Sequence, residues 1–278
     1  MTFKGKIAVL KGGYSDERAI SLKTGENVEQ ALKELGLRYT SIDCKDDFLE
    51  KLISSNFDLC FNALHGEFGE DGQIQALLEE IGIKYTHSGI SSSILAMNKA
   101  FSKEIFIRND VPTPQYKMID KDDINENDIL IPSVIKPINN GSSFGVYIIL
   151  SESDKTSFLE DIKNWKYGKY IMVEKYIKGR ELTCGIIANK PTEVMEIKAK
   201  NIFYDYETKY TQGMSEYILA KDIPRETYNK IQDLTLSCHN LLGCKGVTRT
   251  DFRLEEDTIL SPYVLELNTN PGLTKTSL

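Results

Sequence analysis

What this 278-residue chain has little of narrows its chemistry before any motif is read. Its five cysteines, Cys44, Cys60, Cys184, Cys238 and Cys244, are scattered, odd in number and free of any C-x-x-C pair. Such spacing argues against a disulfide framework or a zinc site and fits buried thiols in a reducing cytosol. Positive charge is also scarce: the formal net charge is −7. Nucleic-acid proteins usually carry a basic face, so broad phosphate-backbone binding is disfavoured, although local lysine pairs can still hold a nucleotide. No apolar run approaches membrane-spanning length, and the stretch Ile7 to Leu10 is too short for a signal h-region. The expectation is a cytoplasmic protein with no membrane or nucleic-acid partner. The Walker pattern G-x-x-x-x-G-K-[ST] is missing, as are repeats, heptads and low-complexity tracts.

The remainder is ordinary for a soluble enzyme. Hydrophobic residues make up 41% and charged residues 27%, ample apolar material for real cores, and the length fits two or three compact units. The first hundred residues alternate β-rich runs (Ile7 to Leu10, Phe57 to Phe61) with helical stretches (Ile20 through Leu35, Ile74 to Ile81). That alternation implies βαβ units and a mainly parallel sheet. From Ser91 a helical spacing through Ile94, Leu95, Phe101, Ile105 and Phe106 runs on until Val111-Pro112-Thr113-Pro114 stops it and marks a boundary region. Beyond lie strands at Ser133 to Pro137 and Val146 to Leu150, a helix near Asp154 to Lys163, and a strand at Tyr170 to Tyr176. A hairpin follows, turning at Ala188-Asn189-Lys190-Pro191. The polar, aromatic segment Asn201 to Glu216 reads as a long functional loop, and a helix spans Arg225 to Leu242.

Near the end stand two triplets, Arg249-Thr250-Asp251 and Glu266-Leu267-Asn268. On a β-strand residues two apart leave the same face, so two strands would present Asp251, Glu266 and Asn268 together, with Arg249 beside them. This is a hard oxygen-ligand set of the kind Mg²⁺ accepts when phosphates complete its octahedron. For either triplet alone, a half-buried strand with a solvated polar face is the preferred reading. A second station is Lys136-Pro137-Ile138-Asn139-Asn140-Gly141-Ser142-Ser143-Phe144-Gly145, whose small residues let backbone N–H groups approach an anion while Ser142 and Ser143 add hydroxyls. By itself it is as readily a glycine hairpin turn. Lys99 and Lys136 flank it and could neutralise phosphate charge, although a lysine in such positions is commonly just solvated. A third, weaker station is Val173 to Glu181, where a strand crossing could offer backbone groups to an adenine edge, with Glu181 set for ribose hydroxyls.

Taken together with Gly12 through Arg18, Ala63-Leu64-His65-Gly66, Gly69-Glu70-Asp71-Gly72, Met97-Asn98-Lys99, Phe203 through Tyr210, Gly243 through Gly246 and Glu266 through Leu278, the chain resembles the D-alanine:D-alanine ligases of the ATP-grasp superfamily. The resemblance covers residue 7 to the last residue. It implies an α/β and α+β architecture in three parts: an N-terminal Rossmann-like parallel-sheet domain (1–93), a central domain with the phosphate loop (94–177), and a C-terminal domain with metal site and lid loop (178–278). ATP would lie between the last two.

The same resemblance implies roles. Glu17 holds the ammonium of the first D-alanine and His65 lies near its carboxylate. Lys99, Lys136, Ser142 and Ser143 meet the ATP phosphates; Glu174, Lys175, Ile177 and Glu181 hold adenine and ribose; Phe203 covers the purine and Lys209 reaches the γ-phosphate. Ser142 and Tyr210 form a latch with Glu17. Asp251, Glu266 and Asn268 bind two Mg²⁺, with Mn²⁺ as a substitute. Arg249 and the Gly272 N–H form the oxyanion hole, and Ser277 and Leu278 receive the second D-alanine. Tyr210 favours D-alanine over D-lactate there, and a homodimer acting in peptidoglycan precursor synthesis is implied.

Several residues depart from the family's pattern. Ala19 stands where a second acidic residue is frequent, Asn140 replaces a commonly acidic residue, and Asn270 replaces a small one; the latter two bear on closure or rate. The family also usually continues into a terminal helix past the position of Leu278, which bears on the second-substrate pocket. His87 and His239 read as surface or packing residues, Trp165 as packing, and Asp120 to Asp128 as a solvated linker. Two rival readings stay open: another ATP-grasp carboxylate:amine ligase, which would differ at Glu17, His65, Ser277 and Leu278, and a nucleotide-binding regulator without turnover.

Overall fold

The computed structural model describes residues 3–199, 215–255 and 261–274. Its N-terminal part is a three-stranded parallel sheet, order β2-β1-β3, from β1 (Lys6–Lys11), β2 (Arg38–Asp43) and β3 (Leu59–Asn62). Helices α1 (Arg18–Glu34), α2 (Phe48–Ser54) and α3 (Gln73–Glu80) connect and cover it. Between its terminal lysines β1 is apolar, Ile7 to Leu10, because both its faces are covered. Ile7 and Val9 enter one core with Val28 and Leu32 of α1, while Ala8 and Leu10 enter another with Leu52 and Leu78. β2 escapes sequence reading because it is a largely exposed edge strand with a polar sequence, RYTSID.

The helical spacing expected to run on from Ser91 resolves into two helices, α4 (Ile90–Met97) and α5 (Lys99–Arg108). Asn98 causes the break: its extended backbone caps α5, and its side chain accepts from the N–H groups of Ala100 and Phe101. The apolar stripe also misleads, for Phe101 is 52% exposed and the buried face of α5 is Lys99, Ser102, Lys103 and Phe106.

A second sheet is antiparallel, order β4-β7-β5-β6, from β4 (Tyr116–Asp120), β5 (Ser133–Pro137), β6 (Tyr147–Ile149) and β7 (Tyr170–Lys175). α6 (Glu152–Asp161), started by a Ser151–Asp154 capping box, closes its core with Phe158 over Ile135 and Ile171. The acidic stretch read as a solvated linker is more ordered than that: it ends β4 and forms a 3₁₀ turn at Glu126–Asp128 capped by Asn125, with Ile129 buried in this core. Trp165 packs beside the same core as expected.

The third sheet is six-stranded: β8 (Gly179–Ile187), β9 (Lys190–Pro191), β10 (Met195–Ala199), β11 (Ser215–Leu219), β12 (Thr248–Glu255) and β13 (Ser261–Asn268), with order β11-β10-β8-β12-β13 and β9 on β8. The β8–β9 hairpin turns through Ala188 and Asn189, both at positive φ as a tight type I′ turn requires. Helix α7 (Arg225–Leu241) buries Tyr228, Ile231, Thr235 and Cys238 at helical spacing against this sheet. Ala96 of α4 and Phe106 of α5 join the same core.

A β-bulge sets the working face of that sheet. β13 pairs with β12 as Val264↔Phe252 and then Glu266↔Asp251, so Leu265 is the extra residue. Its insertion lets Val264 and Leu267, three apart, both enter the core, and turns Glu266 and Asn268 to the opposite face opposite Asp251 and Arg249. Without it strict alternation would send Glu266 into the core.

The chain after β13 docks on the N-terminal sheet. Asn270, 2% exposed, donates from Nδ2 to the carbonyls of Asn62 (3.2 Å) and Leu64 (2.7 Å). Asn27 donates to the Leu273 carbonyl at 2.7 Å. Among the described residues no helix is long and apolar enough to cross a membrane. Asn270→Ala leaves two buried carbonyls without these donors, so a loss of about 1–3 kcal/mol is expected. Thermal melts should show it as a fall in Tm of roughly 2–4 °C per kcal/mol; an unchanged Tm would show that this docking contributes nothing.

Candidate active site

Between the second and third sheets lies a cleft of about 820 Å³, part of it open to solvent. Its walls carry Lys99, Lys136, Ser143, Glu174, Lys175, Ile177, Glu181, Asp251 and Glu266, residues from four separate parts of the sequence. The β7–β8 crossing supplies 174 to 181, the bulged β12–β13 pair supplies the acids, and the loop after β5 forms another side.

Cations and carboxylates pair across the cleft. Lys99 Nζ lies 2.9 Å from Glu266 Oε2 and donates to the Asn140 carbonyl at 2.6 Å. Lys136 Nζ meets Glu174 Oε1 at 2.9 Å, and Lys103 Nζ meets Glu174 Oε2 at 2.8 Å. Both cleft lysines are thus buried and engaged, which sets aside their reading as solvated residues. Glu174 is 2% exposed. Burial alone would raise its pKa, but Lys103 and Lys136 outweigh that and hold it below the usual 4.5. Its side chain is therefore a structural hub in addition to any part its backbone plays toward a base. Arg249 grips Asp251 with two bonds, Nε to Oδ1 at 2.9 Å and Nη2 to Oδ2 at 2.8 Å. Thr183 Oγ1 and Asn268 Nδ2 also donate to Asp251, at 2.8 and 3.1 Å. Arg253 Nη2 stands 3.1 Å from Glu181 Oε2.

A metal fits this donor set. Asp251, Glu266 and the Asn268 amide bring only hard oxygens, the register places Asp251 directly opposite Glu266, and both acids open on the cleft.

A second pocket adjoins the first and shares Asn140 and Gly141 with it; Tyr14, Ser15, Asp16, Glu17, Gly66, Met97 and Phe144 complete most of its wall. Glu17, 8% exposed, accepts from Ser142 Oγ at 2.6 Å. Two glycines make room for its carboxylate: a Cβ on Gly66 would stand 3.0 Å from Oε1, and one on Gly141 only 2.8 Å. Ser142 and Ser143 both take positive φ, a conformation that non-glycine residues adopt only when their surroundings impose it. The Ser142–Glu17 bond is one such imposition.

His65 is buried with both ring nitrogens engaged, Nδ1 with Glu70 Oε1 at 3.0 Å and Nε2 with Thr24 Oγ1 at 2.9 Å. Thr24 Oγ1 in turn accepts from the Leu273 N–H at 3.3 Å, which holds the backbone beside Gly272 against α1. His239 is buried with Nδ1 on Thr248, and His87 packs edge-on against Phe61 with ring centroids 5.4 Å apart, so both are packing residues. All five cysteines are buried and free.

Phe203, Lys209, Tyr210, Ser277 and Leu278 lie outside the described residues. Sequence reasoning missed Lys103, Thr183 and Arg253. The one signal for the first was its spacing, one turn after Lys99 on the same helix face, which does not by itself show that the face is buried.

Comparison with known proteins agrees with this geometry. The family model "D-ala D-ala ligase C-terminus" matches residues 105–278 and "D-ala D-ala ligase N-terminus" matches 40–88. The chain is 41% identical to a D-alanine–D-alanine ligase of Rhodospirillum rubrum, covering 98% of the chain and 90% of that protein. It is 45% identical to one from the Wolbachia of Drosophila simulans, covering 98% and 86%. Among solved structures, the Bacillus anthracis D-alanine–D-alanine ligase complexed with ATP superposes with a TM-score of 0.83 at 30% identity, over 99% of this chain and 89% of that one. The three sheets are thus an ATP-grasp architecture of mixed α/β and α+β type, and this chain belongs to the D-alanine–D-alanine ligase family.

Proposed function

We propose that this chain joins two D-alanine molecules into D-alanyl-D-alanine with hydrolysis of ATP to ADP and phosphate, for peptidoglycan precursor synthesis. The supporting observation is the adjacency of two unlike pockets, a cation-rich cleft suited to a triphosphate and a small pocket ending on the buried Glu17 carboxylate, with Asn140 and Gly141 in both walls. Such a wall brings a bound amino acid's carboxyl group beside a terminal phosphate.

A carboxylate is a poor electrophile and must first be activated. Glu17 receives the ammonium of the first D-alanine, leaving its carboxylate to attack the γ-phosphorus. The bond from that phosphorus to the β-phosphate oxygen breaks, ADP leaves, and an acyl phosphate forms. Lys99 and Lys136 offset the charge of this transfer, which is mainly positioning and electrostatics. Asp251, Glu266 and Asn268 would hold Mg²⁺, or Mn²⁺, which when bound offsets phosphate charge. The amine of the second D-alanine then attacks the acyl carbon, phosphate departs, and the amine loses a proton. Arg249, always charged, and the Gly272 N–H stabilise the tetrahedral oxyanion between these steps. The same reading places the protein in the cytoplasm, consistent with its buried free thiols, and expects a homodimer.

Mass spectrometry of a mixture of D-alanine, ATP and Mg²⁺ should reveal the D,D-dipeptide in stoichiometry with ADP; ATP binding without dipeptide would leave the regulator reading standing. Arg249→Met should lower kcat by roughly 10²–10³-fold, the usual effect of removing one oxyanion donor, measured by steady-state ADP release. Gly66→Ala places a Cβ 3.0 Å from Glu17 Oε1 at a position with φ +70°. It should raise KM for the first D-alanine about tenfold, near 1.4 kcal/mol, and leave KM for ATP unchanged. Equal rises in both would mean that Glu17 does not serve the amino acid alone.

A further inference from the structure

We propose that Lys103 is a positioning residue for nucleotide binding, holding one oxygen of Glu174 so that Lys136, on the other, keeps its charge for the bound phosphates. Lys103 is fully buried on the inner face of α5 and is not part of the cleft wall, whereas Lys136 and Glu174 both are. Its Nζ lies 2.8 Å from Glu174 Oε2 and also donates to Thr113 Oγ1. Thr113 Oγ1 donates to the Val264 carbonyl at 2.8 Å, just before the bulge that turns Glu266 to the cleft. One side chain therefore ties the phosphate lysine to the strand of the candidate metal ligands.

The charge count explains why a second lysine is needed. Two lysines on one carboxylate leave the triad with a net charge of +1 (two positive, one negative). A buried carboxylate must be compensated, and with Lys103 removed Lys136 would have to do it alone. The pair would then be neutral and Lys136 drawn back onto Glu174, taking from the cleft the charge that attracts a phosphate. Glu174 on β7, Lys136 on β5, Glu266 on β13 and the Tyr116 ring on β4, whose centroid is 5.8 Å from Nζ, are the charged or titratable groups facing Lys103. Burial lowers the Lys103 pKa to about 8, Glu174 opposing the fall. A group lowered into that range loses its proton as pH rises through it, so nucleotide affinity should weaken on the alkaline side of about 8.

This inference rests on the proposed function only for what occupies the cleft, so the test reads ATP binding rather than turnover. Calorimetric Kd for ATP with Mg²⁺ is measured on the full chain and on Lys103→Met, Lys136→Met and the double variant, with Tm as a folding check. Lys103→Met should raise Kd about tenfold or more, roughly the effect of one lost charged contact. The double variant should bind no more weakly than Lys136→Met, because Lys103 acts through Lys136. Unchanged Kd with a lower Tm, or effects that multiply in the double variant, would overturn the proposal. If Lys103→Met does not fold, Lys103→Gln decides, because its amide can still donate to Glu174 but carries no charge: a Kd about tenfold higher supports the proposal, and an unchanged Kd refutes it. Loss of dipeptide synthesis with these binding effects intact would count against the ligase reading alone.

Discussion

A charge removed from water must be matched, and that constraint organises the centre of this molecule. In the cleft wall and just behind it, Lys99, Lys103, Lys136, Arg249 and Arg253 each contact one of the carboxylates Glu174, Glu181, Asp251 and Glu266. The protein can therefore fold with its candidate phosphate-binding groups in place, because the carboxylates that keep them company also fix their directions. Preorganisation of this kind is what phosphoryl transfer asks of a protein, whose contribution there is position and field more than covalent chemistry. Arg249 illustrates the economy: Asp251 holds it by two parallel bonds, a geometry only a guanidinium can adopt.

Backbone irregularities are the means by which ordinary elements deliver these charges. The bulge at Leu265 changes the phase of β13 between core and cleft, so Val264 and Leu267 pack inward while Glu266 meets Asp251. Asn98 ends one helix and caps the next, so that Lys99 opens α5 and points with Lys103 along its buried face. Each departure from regular periodicity falls beside a group that binds or holds charge, which is where a sequence optimised for packing alone would have no reason to depart.

This also decides what was legible in the sequence. The apolar runs of β1 and the helical spacing of α1 and α7 announced themselves because burial on both faces or on one stripe leaves a period that can be counted. The pairings Arg249–Asp251 and Glu266–Asn268 were legible as faces, since residues two apart on a strand always share one. Their mutual register was not, for it depends on a bulge that no local signal marks. β2 was invisible because an edge strand exposed to water needs no apolar alternation. On α5 the sequence misleads actively: Phe101 belongs to the apolar stripe, yet it is half exposed and two lysines lie within. A lysine reads as surface until the buried partner from another sheet is known, and Glu174 lies seventy-one residues beyond Lys103 (174 minus 103).

The loop from 139 to 145 is where the three sheets come to depend on one another. On one side Ser142 donates to Glu17 at the start of α1; on the other the Asn140 carbonyl accepts from Lys99, itself bound to Glu266 of β13. A single short segment thus touches the N-terminal sheet's first helix and, through one lysine, the acids of the third sheet. The tail beyond β13 closes the circuit, with Asn270 on Asn62 and Leu64, and Leu273 on Thr24, whose hydroxyl also meets His65. Displacing Glu17 therefore moves Ser142, and moving Ser142 strains the loop that Lys99 anchors. In such a ring of contacts the pocket that ends on Glu17 and the cleft share one wall, because Asn140 and Gly141 of this loop line both.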